Sequence, residues 1–206
     1  MIFGIQEAFL VNLKRRPDRL QAADKALQKI GINPVIVFNA IDAKTLGIRH
    51  EGANLRPGMV GCFLSHYMLL QIAIMNNLDS ILIFEDDVNP IINAKMLLEN
   101  AEKCVPNDWE FLWLGYSYSG KQWEANRSKA IQVNDYWQIP APTWGTQAFA
   151  IRGKESIKKI YKELSTIKTQ IDVQLTTDVL KRLKIKTYAI TPCAFQQSAS
   201  KSDVQV

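Results

Sequence analysis

The sequence predicts an α/β protein, a mixed sheet flanked by helices. Short apolar runs rich in Ile, Leu and Val alternate with stretches whose apolar residues recur at helical spacing, giving strand, helix, strand, helix, strand up to Phe84. One of those helical stretches is apolar almost all round, as a helix packed between layers must be. Neither an internal repeat nor a linker interrupts the pattern. Residues 1–206 are therefore read as one domain, long enough to bury a sizeable core.

The elements follow in order. Residues 8–13 read as a first strand. Pro17 suits the first turn of a helix whose apolar positions Leu20, Ala23, Leu27 and Ile30 follow helical spacing, and Gly31 supplies the stop. Residues 35–38 form a second strand, followed by a loop through about Arg56. Residues 58–75 are the apolar helix and 80–84 the next strand, which runs into Glu85-Asp86-Asp87 with Pro90 as a break. A helix is expected at 94–103 and a buried strand at 111–114. Residues 116–134 are polar, aromatic and poorly periodic, so they read as a surface loop with at most a short strand. A strand at 146–151, helices at 156–164 and 172–183, and a last strand at 186–190 before a polar tail complete the expectation.

Composition narrows the function classes. A hydrophobic share of 47% and a charged share of 22% are ordinary for a globular protein, and eight Pro with ten Gly are too few for a disordered or collagen-like chain. Three cysteines, with no C-x-x-C spacing, argue against a disulfide framework or a structural zinc site and suit a reducing compartment. No secretory signal and no membrane-spanning apolar run is expected, which points to a cytoplasmic protein. The net charge of +5 would allow peripheral contact with an anionic membrane. It is modest for a nucleic-acid binder, and no aromatic-basic recognition motif accompanies it.

The chemistry concentrates at Ile81-Leu82-Ile83-Phe84-Glu85-Asp86-Asp87-Val88. Here an apolar strand ends in three carboxylates, at the sheet edge where ligand crevices form in open α/β folds. Adjacent carboxylates repel, and a divalent cation is the simplest relief. Hard oxygen ligands without clustered His or Cys favour Mg²⁺ or Mn²⁺ over zinc. The plain alternative is a solvated acidic turn. Neither G-x-x-x-x-G-K-[ST] nor G-x-G-x-x-G occurs, so a diphosphate would have to be held by a metal on the acids and by basic side chains. Asn12-Leu13-Lys14-Arg15-Arg16-Pro17-Asp18-Arg19 turns from the first strand into the first helix, where phosphate or a nucleobase could be held; it is otherwise a solvated basic turn. His66 lies one turn after Cys62 on the apolar helix and is either a satisfied core residue or a site contact. Asp172 precedes Leu175, Val179 and Leu183; it is either a helix N-cap or a carboxylate base, and the two roles can coexist.

Together these segments resemble glycosyltransferase family 25, which includes bacterial lipopolysaccharide galactosyltransferases and collagen hydroxylysine galactosyltransferases. Phe9–Arg19 is similar to the family's strand and turn INLDRRxDR, with Lys14 where Asp is frequent. Gly58–His66 is similar to GxxGCxLSH, Ile81–Val88 to LILEDD, and Trp144–Ile151 to GTxAYxI. The resemblance implies a GT-A-like single domain that transfers a hexose, galactose first among candidates, from a UDP-sugar to a glycan or glycolipid acceptor such as lipopolysaccharide, with inversion. It implies Mn²⁺ (or Mg²⁺) on Glu85 and Asp87. It further implies Asn12, Arg15, Arg16, Arg19, His66 and Asp86 at the nucleotide-sugar donor, and Asp172 as the base. A metal-dependent phosphoesterase and a non-catalytic binding module that kept the fold are the competing readings.

Overall fold

Period-two alternation along the first and third strands sets the architecture. In the computed structural model, which describes residues 2–50, 52, 54–118, 125 and 127–198, β1 (Glu7–Asn12) and β3 (Ser80–Glu85) pair in parallel and send successive side chains to opposite faces. Phe9, Val11, Ile81 and Ile83 point to one core; Ala8, Leu10, Leu82 and Phe84 point to the other. Helix α1 (Pro17–Lys29) closes the second core with Ala23 and Leu27. Helix α2 (Pro57–Met75) closes the first with Phe63, Leu69, Leu70 and Ala73. Each fully buried Leu or Ile contributes about 1.5–3 kcal/mol, so both faces stabilise the sheet.

The remaining elements extend this three-layer plan. Strand β2 (Ile36–Asn39) lies at the sheet edge beside β1, and β4 (Val88–Pro90) follows the acids. Helix α3 (Ala94–Lys103) covers the α1 face through Leu97, Leu98 and Ala101. Strands β5 (Phe111–Ser117), β6 (Ile131–Gln132), β7 (Trp137–Ile139) and β8 (Trp144–Arg152) precede α4 (Lys154–Glu163). Helix α5 opens at Ile171–Gln174, widens into a π-helical turn over Leu175–Val179 and closes at Leu180–Arg182. Strands β9 (Thr187–Ile190) and β10 (Phe195–Gln197) end the described chain. The main sheet runs β2-β1-β3-β8-β5-β9-β7-β6, with β10 bridging β4 and β5. Strand β8 is antiparallel to both neighbours, so the sheet is mixed, as expected.

The chain leaves β1 through α1 on one face and returns to β3 through α2 on the other. The carboxyl ends of β1 and β3 therefore form a topological switch point, where a crevice opens. Antiparallel pairing of Phe84 with Ala148 brings the start of β8 to the same place.

Several expectations need correction. The strand at 111–114 continues to Ser117, the segment from 187 to 190 is not the last strand, and β4, β7 and β10 are additional. Of the expected loop at 116–134, residues 119–124 and 126 lie outside the described residues. By length and composition α2 does pass as a membrane span, 19 residues with a mean hydropathy of 1.5. Here, however, it packs against the sheet and α4, with Met68 and Met75 reaching the surface.

Candidate active site

The three acids leave β3 in alternating directions, and their partners divide accordingly. Asp86 turns towards α1: Asn12 Nδ2 donates to its Oδ2 at 2.7 Å and Arg19 Nη1 to its Oδ1 at 3.0 Å. Burial raises the Asp86 carboxyl, and the Arg19 charge opposes that rise. Glu85 turns the other way. Its Oε1 accepts from the Thr146 hydroxyl at 2.6 Å and lies 2.9 Å from His66 Nε2 and 3.7 Å from Cys62 Sγ. Burial pushes Glu85 up, but the bonds from His66 and Thr146 outweigh it and hold the carboxyl below its ordinary value. Asp87 Oδ2 accepts from Gln197 Nε2 at 2.8 Å, while Oδ1 is buried without a hydrogen-bond partner among the described residues. Burial first, then the Glu85 charge, push Asp87 up to about 6.

Two clefts meet at these acids. The first encloses about 630 Å³ between the end of β1, α1 and the loop before α2, and its walls carry Arg15, Arg19, Asp42 and Lys44. Ser65 fixes that loop, accepting from Ile41 N at 2.8 Å and donating to Gly61 O at 2.7 Å. The second encloses about 610 Å³ and is walled by Trp144, Gly145, Gln147 and Asp172. Cys62, Glu85 and Asp87 line both.

Asp172 sits in the second cleft with its carboxylate held at both oxygens: Gly145 N donates to Oδ2 and Val173 N to Oδ1, each at 2.8 Å. Gly145 has a φ of +88°, a conformation that favours glycine and turns its N–H onto Asp172. Burial raises the Asp172 carboxyl, and the two backbone donors oppose the rise. Gln170 is the N-cap of α5, so the N-cap alternative for Asp172 does not hold; it stands in the first turn instead. Gln147 Oε1 is buried nearby with no partner among the described residues, an acceptor available to a hydroxyl.

Of the other residues singled out from the sequence, Asn12 and Arg19 meet Asp86, and Arg15 lines the first cleft while pairing with Asp42 at 2.6 Å. Arg16 instead forms a two-point pair with Asp18, at 3.0 and 2.8 Å, and lines neither cleft. His66 is buried beneath Glu85 rather than exposed to a donor; it positions that carboxylate. The premise that no His or Cys clusters at the acids needs correction, because Cys62, His66 and Glu85 bring ligand atoms within 4.8 Å of one another. Burial, then the Glu85 charge, push the Cys62 thiol well up, so it stays a protonated donor. Gln197 and Thr146 are partners that sequence reasoning missed. Thr146 falls within a noted motif, whereas nothing local marks Gln197.

The orphaned Asp87 Oδ1 and the repulsion between Asp87 and Glu85 fit a hard divalent cation held by those two carboxylates. The family model for glycosyltransferase family 25 (LPS biosynthesis protein) matches residues 5–175. The human "Inactive glycosyltransferase 25 family member 3" is 30% identical over 168 residues, covering 72% of this chain and 27% of that protein. Zebrafish (Danio rerio) procollagen galactosyltransferase 1 is 31% identical over 130 residues, covering 54% and 22%. The chain thus spans about a quarter of the length of these curated relatives. Among solved structures, a glycosyltransferase involved in glycosylation of the major capsid of PBCV-1 superposes with a TM-score of 0.55 at 8% identity, covering 95% of this chain and 93% of the other. That likeness shows a shared fold.

Proposed function

Given that the chain belongs to glycosyltransferase family 25, we propose that it is a metal-dependent hexosyltransferase, moving a sugar from a UDP donor to a glycan or glycolipid acceptor. The observation that carries the reading is the shared wall: Glu85 and Asp87 stand between a cleft whose walls carry Arg15 and Lys44 and a cleft that holds a buried carboxylate. In this reading the nucleotide lies in the first cleft, with Arg15 and Lys44 as charge partners. Arg19 and Asn12 act through Asp86, fixing the turn that aims the neighbouring acids. Glu85 and Asp87 hold Mn²⁺ or Mg²⁺, which supplies charge stabilisation for the departing diphosphate.

The acceptor enters the second cleft. Its hydroxyl gives its proton to Asp172 while the oxygen attacks the anomeric carbon. The bond from that carbon to the diphosphate oxygen breaks on the opposite side, so configuration inverts. Burial suits Asp172 to this task, because a raised carboxyl is the stronger base; such proton transfer contributes about 10²–10⁴-fold. Galactose is the first candidate sugar, from the name of the zebrafish relative, and lipopolysaccharide the first acceptor, from that of the family model. A cytoplasmic site of action beside an anionic membrane belongs to the same proposal, supported by the net charge of +5 and three free cysteines.

Thermal melts with UDP, UDP-galactose and UDP-glucose, with and without Mn²⁺, test it. At 100 times its dissociation constant a ligand stabilises by about 2.7 kcal/mol, a rise of several degrees for a chain of this size. A rise that needs both nucleotide and Mn²⁺ is expected. No rise with any of the three would overturn the reading. Binding with no UDP release over hours, across a panel of glycan acceptors, would favour a non-catalytic member, as the name of the human relative suggests for that protein.

A further inference from the structure

Beyond the two clefts a third hollow, about 1120 Å³, runs between the far end of α5, the start of β9 and the segment after β7. Trp113, Pro140 and Pro142 give it apolar walls, and Lys181, Lys184 and Lys186 stand along it, all three exposed. None of the three ammonium groups has a hydrogen bond or ion pair among the described residues; of the nearby acids, Asp178 is taken by Lys168 and Arg182, Glu163 by Arg182, and Glu110 Oε2 accepts from Lys186 N. Trp113 is 1% exposed, and its Nε1–H has no acceptor among the described residues, an unused buried donor in the wall of the hollow. Lys184 adds an independent sign. It has a φ of 55° at the end of α5, where Ile185 N bonds Leu180 O and Lys184 N bonds Lys181 O. That pattern is a helix stop whose left-handed residue is ordinarily glycine. A lysine there sacrifices backbone comfort for a cation at the rim.

We propose that this hollow binds an anionic arm of the glycan acceptor, carrying carboxylate or phosphate groups, and so selects charged oligosaccharides over neutral ones. The inference rests on the transferase reading for the word acceptor. Helix α5 links the sites: Asp172 lies in its first turn, and Lys181, nine residues on, stands about 14 Å further along its axis. The two clefts share no lining residue, so a saccharide whose reacting hydroxyl meets Asp172 must extend round α5 for several sugar units to bring its charge to the lysines. Sugar faces can pack on the surfaces of Pro140 and Pro142, and three unpaired ammonium groups match anionic substituents.

Calorimetry without nucleotide or metal isolates the claim from transfer itself, so either can fail alone. The probes are a galacturonic acid hexamer, a phosphorylated pentamannose and neutral maltohexaose. Either anionic probe or both bind, more weakly at high salt, and maltohexaose does not; which one binds tells carboxylate from phosphate. Lys184→Gly should weaken the anionic probe about threefold or more while leaving the melting temperature equal or higher, since glycine suits that φ. Equal binding of charged and neutral sugars, or unchanged affinity in Lys184→Gly, overturns the proposal. So does binding to phosphatidylglycerol vesicles with no binding of either anionic oligosaccharide, which would make the hollow a lipid surface instead.

Discussion

Acidification from pH 7 to pH 5 is expected to weaken Mn²⁺ binding about tenfold through a single carboxyl group. Asp87 is pushed up to about 6 by burial and by Glu85, and a proton competes with the cation for its carboxylate. With one competing proton, roughly a tenth of Asp87 is protonated at pH 7 and roughly nine-tenths at pH 5. The apparent dissociation constant rises by that tenfold ratio, about 1.4 kcal/mol. Glu85 adds little to the slope, because its hydrogen bonds hold it below its ordinary value and ionised. Stability of the metal-free protein moves the other way. A carboxyl raised from 3.8 to about 6 binds its proton more tightly folded than unfolded. Its contribution is full below about pH 4 and lost as pH rises through 6, up to about 3 kcal/mol. Asp86 and Asp172, both raised chiefly by burial, act in the same direction, and saturating Mn²⁺ offsets the loss at Asp87. Titration of free Mn²⁺ by electron paramagnetic resonance at pH 5, 6 and 7, alongside thermal melts, reads both effects. Equal affinity at pH 5 and 7 refutes the reasoning, as does a tenfold change that survives in Asp87→Asn.

Three further outcomes follow from the same geometry. Asp172→Asn should cut turnover by about 10²-fold or more without changing UDP affinity; a loss under about threefold would reduce Asp172 to an anchor for Gly145. Gly61→Ala places a Cβ 2.3 Å from Ile41 O, a backbone atom, so α2 must move off the loop that walls the first cleft. A loss of about 1–3 kcal/mol, at about 2–4 °C each, should accompany weaker UDP binding, and an unchanged melting curve would contradict the contact. Arg19→Met leaves Asp86 beside Asn12 without its cation; denaturant unfolding should show a loss of about 3 kcal/mol at pH 7 and less at pH 4, because burial favours a proton on Asp86 and protonation removes the unpaired charge. Equal losses at the two pH values would mean that Arg19 contributes packing alone.

What could be read in advance was whatever periodicity and local sequence encode. The core strands at Phe9 and Ile81, the helices at Leu27 and Phe63, and the acids at the mouth of β3 all announce themselves within a dozen residues. Short strands such as β4, β7 and β10 carry no such signal, because three residues cannot display a period and their pairing is set by distant partners. The site divides the same way. Alternation along the strand sends Asp86 and Glu85 opposite ways, but nothing local in the sequence tells that His66 lies behind Glu85. The run of arginines looked uniform in sequence, yet Arg19 turns inward to Asp86 while Arg16 closes on Asp18 two residues away. Gln170, not Asp172, caps α5, and only the position of Gly145 across the cleft shows what the aspartate does.

The hydrogen bond from Gln197 to Asp87 has a consequence in time. Its two ends are separated by 110 positions, and Ser198 N also reaches Asp87 O, at 2.7 Å. A ribosome releases Asp87 early and the glutamine late, so a growing chain displays that acid long before Gln197 can steady it. Under the proposed reading, competence for the cation waits on β10, and any trimming that removes Phe195–Gln197 would leave Asp87 without that donor.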